Sequence, residues 1–289
     1  MGQSKTQCSS RFNTWSFVLL NLCKWSFEYN SWPSKPILFA DDTSIIITNL
    51  NPSKFKNVIN IIDNINDWFR GNSLSLNFDK TYFLQFRPKN SYEINIKISC
   101  DNKLIKETKN TKFLGLDIGS SLSWNNCIGQ MMIKRTRASY TVRYVKHIMS
   151  QGTLRTIYFL YFHSILSYGI IFWDNSAYSS NIFKIQKRII RIIMNIRYRD
   201  SCCQLFKNLK ILTLKSQCIF SLLLFVAKNR DLYESNSEIH NINTWFSSDL
   251  HTPTANLTTF QKGPFYFGIK VFNFLPTSIK NTCTNSDLF

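Results

Sequence analysis

The chain has 289 residues, of which 44% are hydrophobic, and carries a formal net charge of +18 at pH 7. That length supports one large domain or two smaller ones with real cores, and the charge points to a polyanionic partner, nucleic acid or an acidic membrane surface. Eight cysteines lie at 8, 23, 100, 127, 202, 203, 218 and 283; no Cys-x-x-Cys occurs, which excludes a zinc finger or knuckle and reads as reduced thiols of an intracellular protein.

At the N-terminus, Met1-Gly2 through Thr6 matches a myristoylation pattern and Trp15–Cys23 a short signal-like core. The first strong structural pattern is Pro36-Ile-Leu-Phe-Ala-Asp-Asp-Thr-Ser-Ile-Ile-Ile-Thr48. Two apolar runs of strand character flank Asp41 and Asp42, which predicts a hairpin with both acids at its tip. Phe55, Val58, Ile59, Ile62, Ile65 and Phe69 then recur at helical spacing, with Ser53 as cap and Gly71 at the close. Thr81–Phe86, Glu93–Ser99 and Lys112–Ile118 read as strands.

From about Trp124 the periodicity turns helical, with segments near 127–148, 152–173, 180–197 and 203–228. Between Ile128 and Arg230 there are 17 Lys and Arg against two acids, Asp174 and Asp200, a regional net of +15. The third helix is the clearest. Ile182, Ile185, Ile189, Ile192 and Ile196 face one way, and Lys184, Lys187, Arg188 and Arg191 face the other. That basic stripe, in so basic a region, suits a phosphate backbone. Tyr140, Tyr144, Tyr158 and Tyr161 could stack on bases, although helix-spaced aromatics more often fill cores. Ile157–Trp173 and Cys218–Ala227 are interrupted or too short to span a bilayer and read as buried helices. The tail after Arg230 has weak strand or loop character, with aromatics at Phe265, Tyr266, Phe267, Phe272 and Phe274.

Several blocks resemble, in family order, the reverse transcriptases of non-LTR (jockey-like) retrotransposons. Phe39-Ala-Asp-Asp-Thr43 is similar to the metal-binding box, and Leu74-Ser-Leu-Asn-Phe-Asp-Lys-Thr81 to the motif that follows it. Thr111-Lys-Phe-Leu-Gly115 with Leu122-Ser-Trp124 resembles the primer-grip segment. Tyr168-Gly169 through Trp173 and Ile185-Gln-Lys187 through Arg191 resemble the thumb and connection, and Tyr266–Pro276 the C-terminal tail. The resemblance covers roughly residues 34–280.

The resemblance implies an α+β chain. A partial palm, a small antiparallel sheet with a packed helix, occupies 34–120; a mainly helical basic thumb and connection region occupies 121–230; a tail occupies 231–289. It implies two-metal nucleotidyl transfer, with Mg²⁺ (Mn²⁺ as substitute) on Asp41 and Asp42, and Lys80 beside the leaving pyrophosphate. Phe113, Leu114 and Gly115 would place the primer end. RNA template and DNA primer would be the partners, with no membrane and no small-molecule cofactor.

The family takes one further carboxylate from an earlier strand, and its fingers precede the metal box. Before Phe39 the sole acid is Glu28, in no matching context. The expected activity of this chain is therefore nil. Ser9-Ser-Arg-Phe-Asn-Thr-Trp-Ser16 can be back-translated so that one base later it reads Pro-Gln-Gly-Ser-Ile-Leu-Gly-Pro, similar to the family motif upstream of the metal box. The expectation is that residues 1–33 are an out-of-frame segment and that the apparent targeting patterns in it are accidents. The alternatives are a non-catalytic nucleic-acid-binding protein or a functionless retroelement remnant.

Overall fold

The computed structural model describes residues 34–39, 42–47, 57–86, 96–240, 249–276 and 278–280. The chain mixes helices with a few short strands, and helix predominates. It divides into two compact units, Met1–Lys109 and Asn110–Phe289.

In the first unit, β1 (Ser34–Phe39) and β2 (Asp42–Ile47) pair antiparallel, with Phe39 opposite Asp42. Helix α1 (Asn57–Gly71) follows; the expected cap Ser53 lies outside the described residues. Strands β3 (Tyr82–Phe83), β4 (Ile98–Cys100) and β5 (Lys103–Glu107) form a second sheet in the order β3-β5-β4. The β4–β5 turn is Asp101-Asn102, both with positive φ (51° and 60°), as a type I′ hairpin requires. Asp101 also clamps α1 to this turn: its Oδ2 accepts from Asn66 Nδ2 and from Arg70 Nη2, each at 2.7 Å. Ile98, Cys100 and Ile105 form the core, with Ile47, Ile62, Phe78 and Phe83 against it. This core is small. Phe39, Ile46, Tyr82, Phe86 and Leu104 stay exposed.

The strands differ from the single antiparallel sheet expected over this region. β3 joins β5 in parallel, on the edge that the antiparallel β4–β5 hairpin leaves open. The expected strand over Lys112–Ile118 is instead a hairpin in the second unit: β6 (Asn110–Phe113) pairs with β7 (Leu116–Gly119). It folds at Leu114 and Gly115, with φ of +46° and +79°.

The rest of the second unit is helical. Its elements are α2 (Asn125–Val145), α3 (Gln151–Ile157), a π-helical segment (Tyr158–His163), α4 (Ser164–Ser167), α5 (Ile170–Trp173), α6 (Ser179–Ile193), α7 (Cys203–Asn208) and α8 (Leu214–Lys228). Ser150 Oγ caps α3 by accepting from Thr153 N, and Thr213 Oγ1 caps α8 by accepting from Ser216 N. Two of the four helices read from the sequence are broken. Leu209–Thr213 divides 203–228. The segment 152–173 passes through the π turn and then bends at Gly169, whose φ is +61°. Its buried residues explain the π turn. Leu154, Tyr158, Phe162, Leu166 and Ile170 are all buried at four-residue spacing. In a pure α-helix that spacing drifts round the axis by about 40° per step; a wider i→i+5 turn rotates the stripe back toward the core.

The tail is partly helical where strand or loop was expected; residues 251–257 and an isolated Ser235–Leu250 bridge keep the expected character. After α9 (Asn236–His240) and α10 (Thr258–Gln261), α11 (Pro264–Asn273) packs on α8. Pro264 supplies a pre-set first turn. Gly268 permits the close approach, since a Cβ there would stand 2.9 Å from Val226 Cγ2. Phe265 stacks on Tyr233 with ring centroids 4.7 Å apart, and the Asn273 amide holds the Leu250 N–H and C=O at 2.9 Å each. Among the described residues, no helix is long and apolar enough to cross a membrane.

Buried titratable groups give this unit a pH signature. Burial pushes the Cys218 thiol from 9.0 to about 12, with the Asp174 carboxylate adding to the rise. Burial likewise pushes Tyr158 from 10.0 to about 12, against a lowering hydrogen bond from Gln186. The native state holds these protons after the unfolded chain has released its own, so their contribution is complete below pH 9 and declines as pH rises toward 12. Arg135, pulled down by burial to about 10, acts in the opposite sense, but only above pH 10. The urea midpoint, followed by far-UV circular dichroism, is therefore expected to fall between pH 9 and pH 10. A flat profile there would contradict the burial of the Cys218 thiol.

Candidate nucleic-acid interface

The direction of the basic stripe on α6 is fixed from inside. Gln186 is fully buried on that helix. Its Nε2 donates to Tyr158 Oη and to Leu212 O, both at 2.9 Å, and its Oε1 accepts from Leu214 N at 2.9 Å. One amide thus ties α6 to the π segment and to the start of α8. A buried amide with its partners in place cannot rotate away without leaving them unsatisfied. Ile182, Ile185, Ile189, Ile190 and Ile193 are buried with it, so the opposite face carries Lys184, Lys187, Arg188 and Arg191 to the surface.

These four cations do not act alike. Lys184 Nζ donates to Asn181 Oδ1 at 3.4 Å, and Lys187 Nζ sits 4.6 Å from the centroid of the Phe183 ring. Both are engaged along their own helix. Arg188 and Arg191 line a cavity of about 370 Å³, together with Arg143, Lys146, His147 and Tyr198. The packing of α2 against α6 brings these groups together. Arg191 is held for the purpose: its Nε and Nη2 donate to Asp200 O at 3.1 and 2.9 Å, and its guanidinium lies over the Tyr198 ring at 5.5 Å. Lys146 Nζ donates to Asn195 Oδ1 at 3.1 Å. No acidic side chain lines the cavity. Four permanent cations at one opening, without a carboxylate, attract an anion, and the planar guanidinium forks match phosphate oxygens. The sequence signalled this site through regional charge and the basic stripe of α6, which includes Arg188 and Arg191; Arg143, Lys146 and His147 become part of it only when α2 crosses α6.

Of the four tyrosines, Tyr158 goes to the core, while Tyr140, Tyr144 and Tyr161 are exposed. Two separate sequence blocks meet in the fold. The Tyr168 ring covers Gly115, where a Cβ would lie 3.6 Å from it, and the Tyr168 hydroxyl donates to Leu114 O. Gly169 rests on Leu116, with 2.9 Å from a virtual Cβ to Leu116 Cδ1. The Phe113-Leu114-Gly115 turn is thereby docked on the helical body. Its partner residues, Tyr168 and Gly169, belong to the block that ends at Trp173.

The acid pair is placed less fully. Asp42 opens β2 opposite Phe39, and Asp41 lies outside the described residues. Lys80 is exposed in a turn held by its own backbone, its N–H donating to Asn77 O at 3.1 Å. Among the described residues no group of three or more His, Cys, Asp or Glu side chains could hold a metal ion. The acid pair belongs to the first unit and Phe113–Gly115 to the second.

Comparison with models of known protein families, with curated proteins and with solved structures finds no match.

Proposed function

We propose that this chain derives from a non-LTR retrotransposon reverse transcriptase and has kept a grip on nucleic acid without catalysis. The basic cavity between α2 and α6 carries the binding half of the reading: Arg143, Lys146, Arg188 and Arg191 converge there with no acid among them. Such a site holds phosphate by charge and fork geometry, with little sequence preference. The ancestral half rests on blocks in family order, from Phe39–Thr43 to Tyr266–Pro276. The docking of Tyr168 on Leu114 and Gly115, with Gly169 against the adjoining Leu116, supports it, because it gives two of those blocks a common physical role.

By the same reading, Asp41 and Asp42 are what remains of a Mg²⁺ site. Two-metal transfer clamps the attacking and leaving oxygens between ions about 3.5–4 Å apart. In the family a further carboxylate from an earlier strand would complete that site, and before Phe39 the sole acid in this sequence is Glu28. Lys80 and Phe113-Leu114-Gly115 would be the inherited pyrophosphate-side and primer-side groups. The purified chain is expected to give no primer extension on an RNA template with Mg²⁺ or Mn²⁺. Templated extension that disappears in Asp41→Ala would overturn that half.

Binding is tested by salt titration with a fluorescent oligonucleotide. Engagement of about four phosphates gives a slope of log K against log salt near −3 to −4. Affinity that is unchanged between 50 and 200 mM salt would remove the electrostatic reading.

A further inference from the structure

Helix α2 carries a second feature beside the cavity. Its residues Asn125–Val145 include no Asp or Glu. Ile133, Arg137, Tyr140 and Tyr144 recur at four- and three-residue spacing, which places them on one side of the helix. That side faces solvent: Tyr140 and Tyr144 are 70% and 71% exposed, and Ile133 is 60% exposed. Neither tyrosine ring contacts another ring, and neither hydroxyl has a partner among the described residues. Large aromatic rings left this bare, side by side, mark a contact surface rather than a core. Arg143 lies between them in sequence and points into the basic cavity, and His147, one turn beyond Tyr144, lines the same cavity.

We propose that the Tyr140–Tyr144 face of α2 stacks the bases of a single-stranded nucleic acid whose phosphates are held in the adjoining cavity. The inference rests on the nucleic-acid reading of that cavity and adds the class of strand it takes. The charge pattern chooses the occupant: Arg137 shares the tyrosines' side of α2, Arg143 opens from the same helix into the cavity with Arg188 and Arg191, and no acid on α2 offsets them. Base faces choose the strand. In a duplex each base is covered above and below by its neighbours, so internal faces are closed to a side chain; in a single strand they are open. Exposed aromatics beside a basic groove therefore favour single strands and tolerate any sequence. Tyr140 and Tyr144 are about 6 Å apart along the helix axis, room for two neighbouring bases to use separate rings.

The test compares wild type, Tyr140→Ala/Tyr144→Ala and Tyr140→Phe/Tyr144→Phe. Binding is measured by fluorescence anisotropy with oligo(dT), oligo(U) and a duplex of the same length, at several salt concentrations. The alanine pair is expected to lose tenfold or more on single strands and less than about twofold on duplex. The phenylalanine pair retains single-strand affinity, and the salt slope stays as in wild type. Equal results for oligo(dT) and oligo(U) fit stacking alone, and preference for oligo(U) adds contact with the 2′-hydroxyl. If both strand types bind with a steep salt slope and the alanine pair matches wild type, the stacking proposal falls while the cavity reading stands. If neither strand type binds, both fall. If the alanine pair instead disperses an oligomer seen by sedimentation, the face belongs to a second copy and the proposal is overturned.

Discussion

Trp173→Ala is expected to destabilise the helical unit by about 3–5 kcal/mol, the range for removing a large aromatic from a packed core. A loss of that size is a large fraction of the stability of an ordinary domain. Trp173 is fully buried and, among the described residues, is the largest side chain so enclosed. Its Nε1 donates to Tyr168 O at 3.1 Å, which fixes the chain at the point where Gly169 takes positive φ. Its ring is also the platform for Arg135, whose guanidinium lies 5.1 Å from the ring centroid and 5.7 Å from that of Phe162. Arg135 is itself fully buried, with Nη2 donating to Ile165 O at 3.2 Å and no hydrogen-bond partner for Nε or Nη1 among the described residues. Removing the platform leaves that cation with less to offset its burial. Trp173→Phe keeps a ring over the guanidinium and loses the Nε1 hydrogen bond, so its cost is smaller, about 1–2 kcal/mol. Urea unfolding followed by circular dichroism checks both. A loss below 1 kcal/mol for Trp173→Ala would mean that this junction does not organise the unit.

The same junction shows what the sequence could and could not disclose. Helix α6 was legible because its isoleucines repeat at helical spacing and its cations lie opposite; burial of Ile182, Ile185 and Ile189 follows that pattern. The hairpin over Ser34–Ile47 was legible from two apolar runs of strand character on either side of an acid pair. The turn at Leu114 was not, because a leucine with positive φ violates local preference and is held by Tyr168, fifty-four residues away. The break at Gly169 was hidden for a related reason: one glycine inside an apolar run reads as a tolerated flaw until Leu116 is seen to occupy the space of its missing Cβ. The π segment and α11 likewise depend on partners, Gln186 and Val226, that lie far off in sequence. The candidate site follows the same division. Arg188 and Arg191 could be named from one helix, whereas Arg143, Lys146 and His147 required knowing which helix crosses it.

That division leads to the second large effect. Arg143→Gln with Arg188→Gln is expected to weaken nucleic-acid binding on the order of a hundredfold or more, at about 1.5–3 kcal/mol per charge-assisted hydrogen bond. It should also flatten the salt slope by about 1.4 on a single strand, because two phosphate contacts are lost. These two arginines are the informative pair. They come from different helices, both open into the cavity, and neither has an ion-pair partner among the described residues. Folding should therefore change by no more than about 0.5 kcal/mol, as for surface positions without special contacts. Lys184→Gln with Lys187→Gln removes the same amount of charge, all of it from α6, yet those ammonium groups are engaged with Asn181 and Phe183 outside the cavity. If binding depended on net charge alone, the two double variants would lose affinity equally. If the cavity seats the backbone, the arginine pair loses at least tenfold more than the lysine pair, and anisotropy titrations at one fixed salt concentration decide between them.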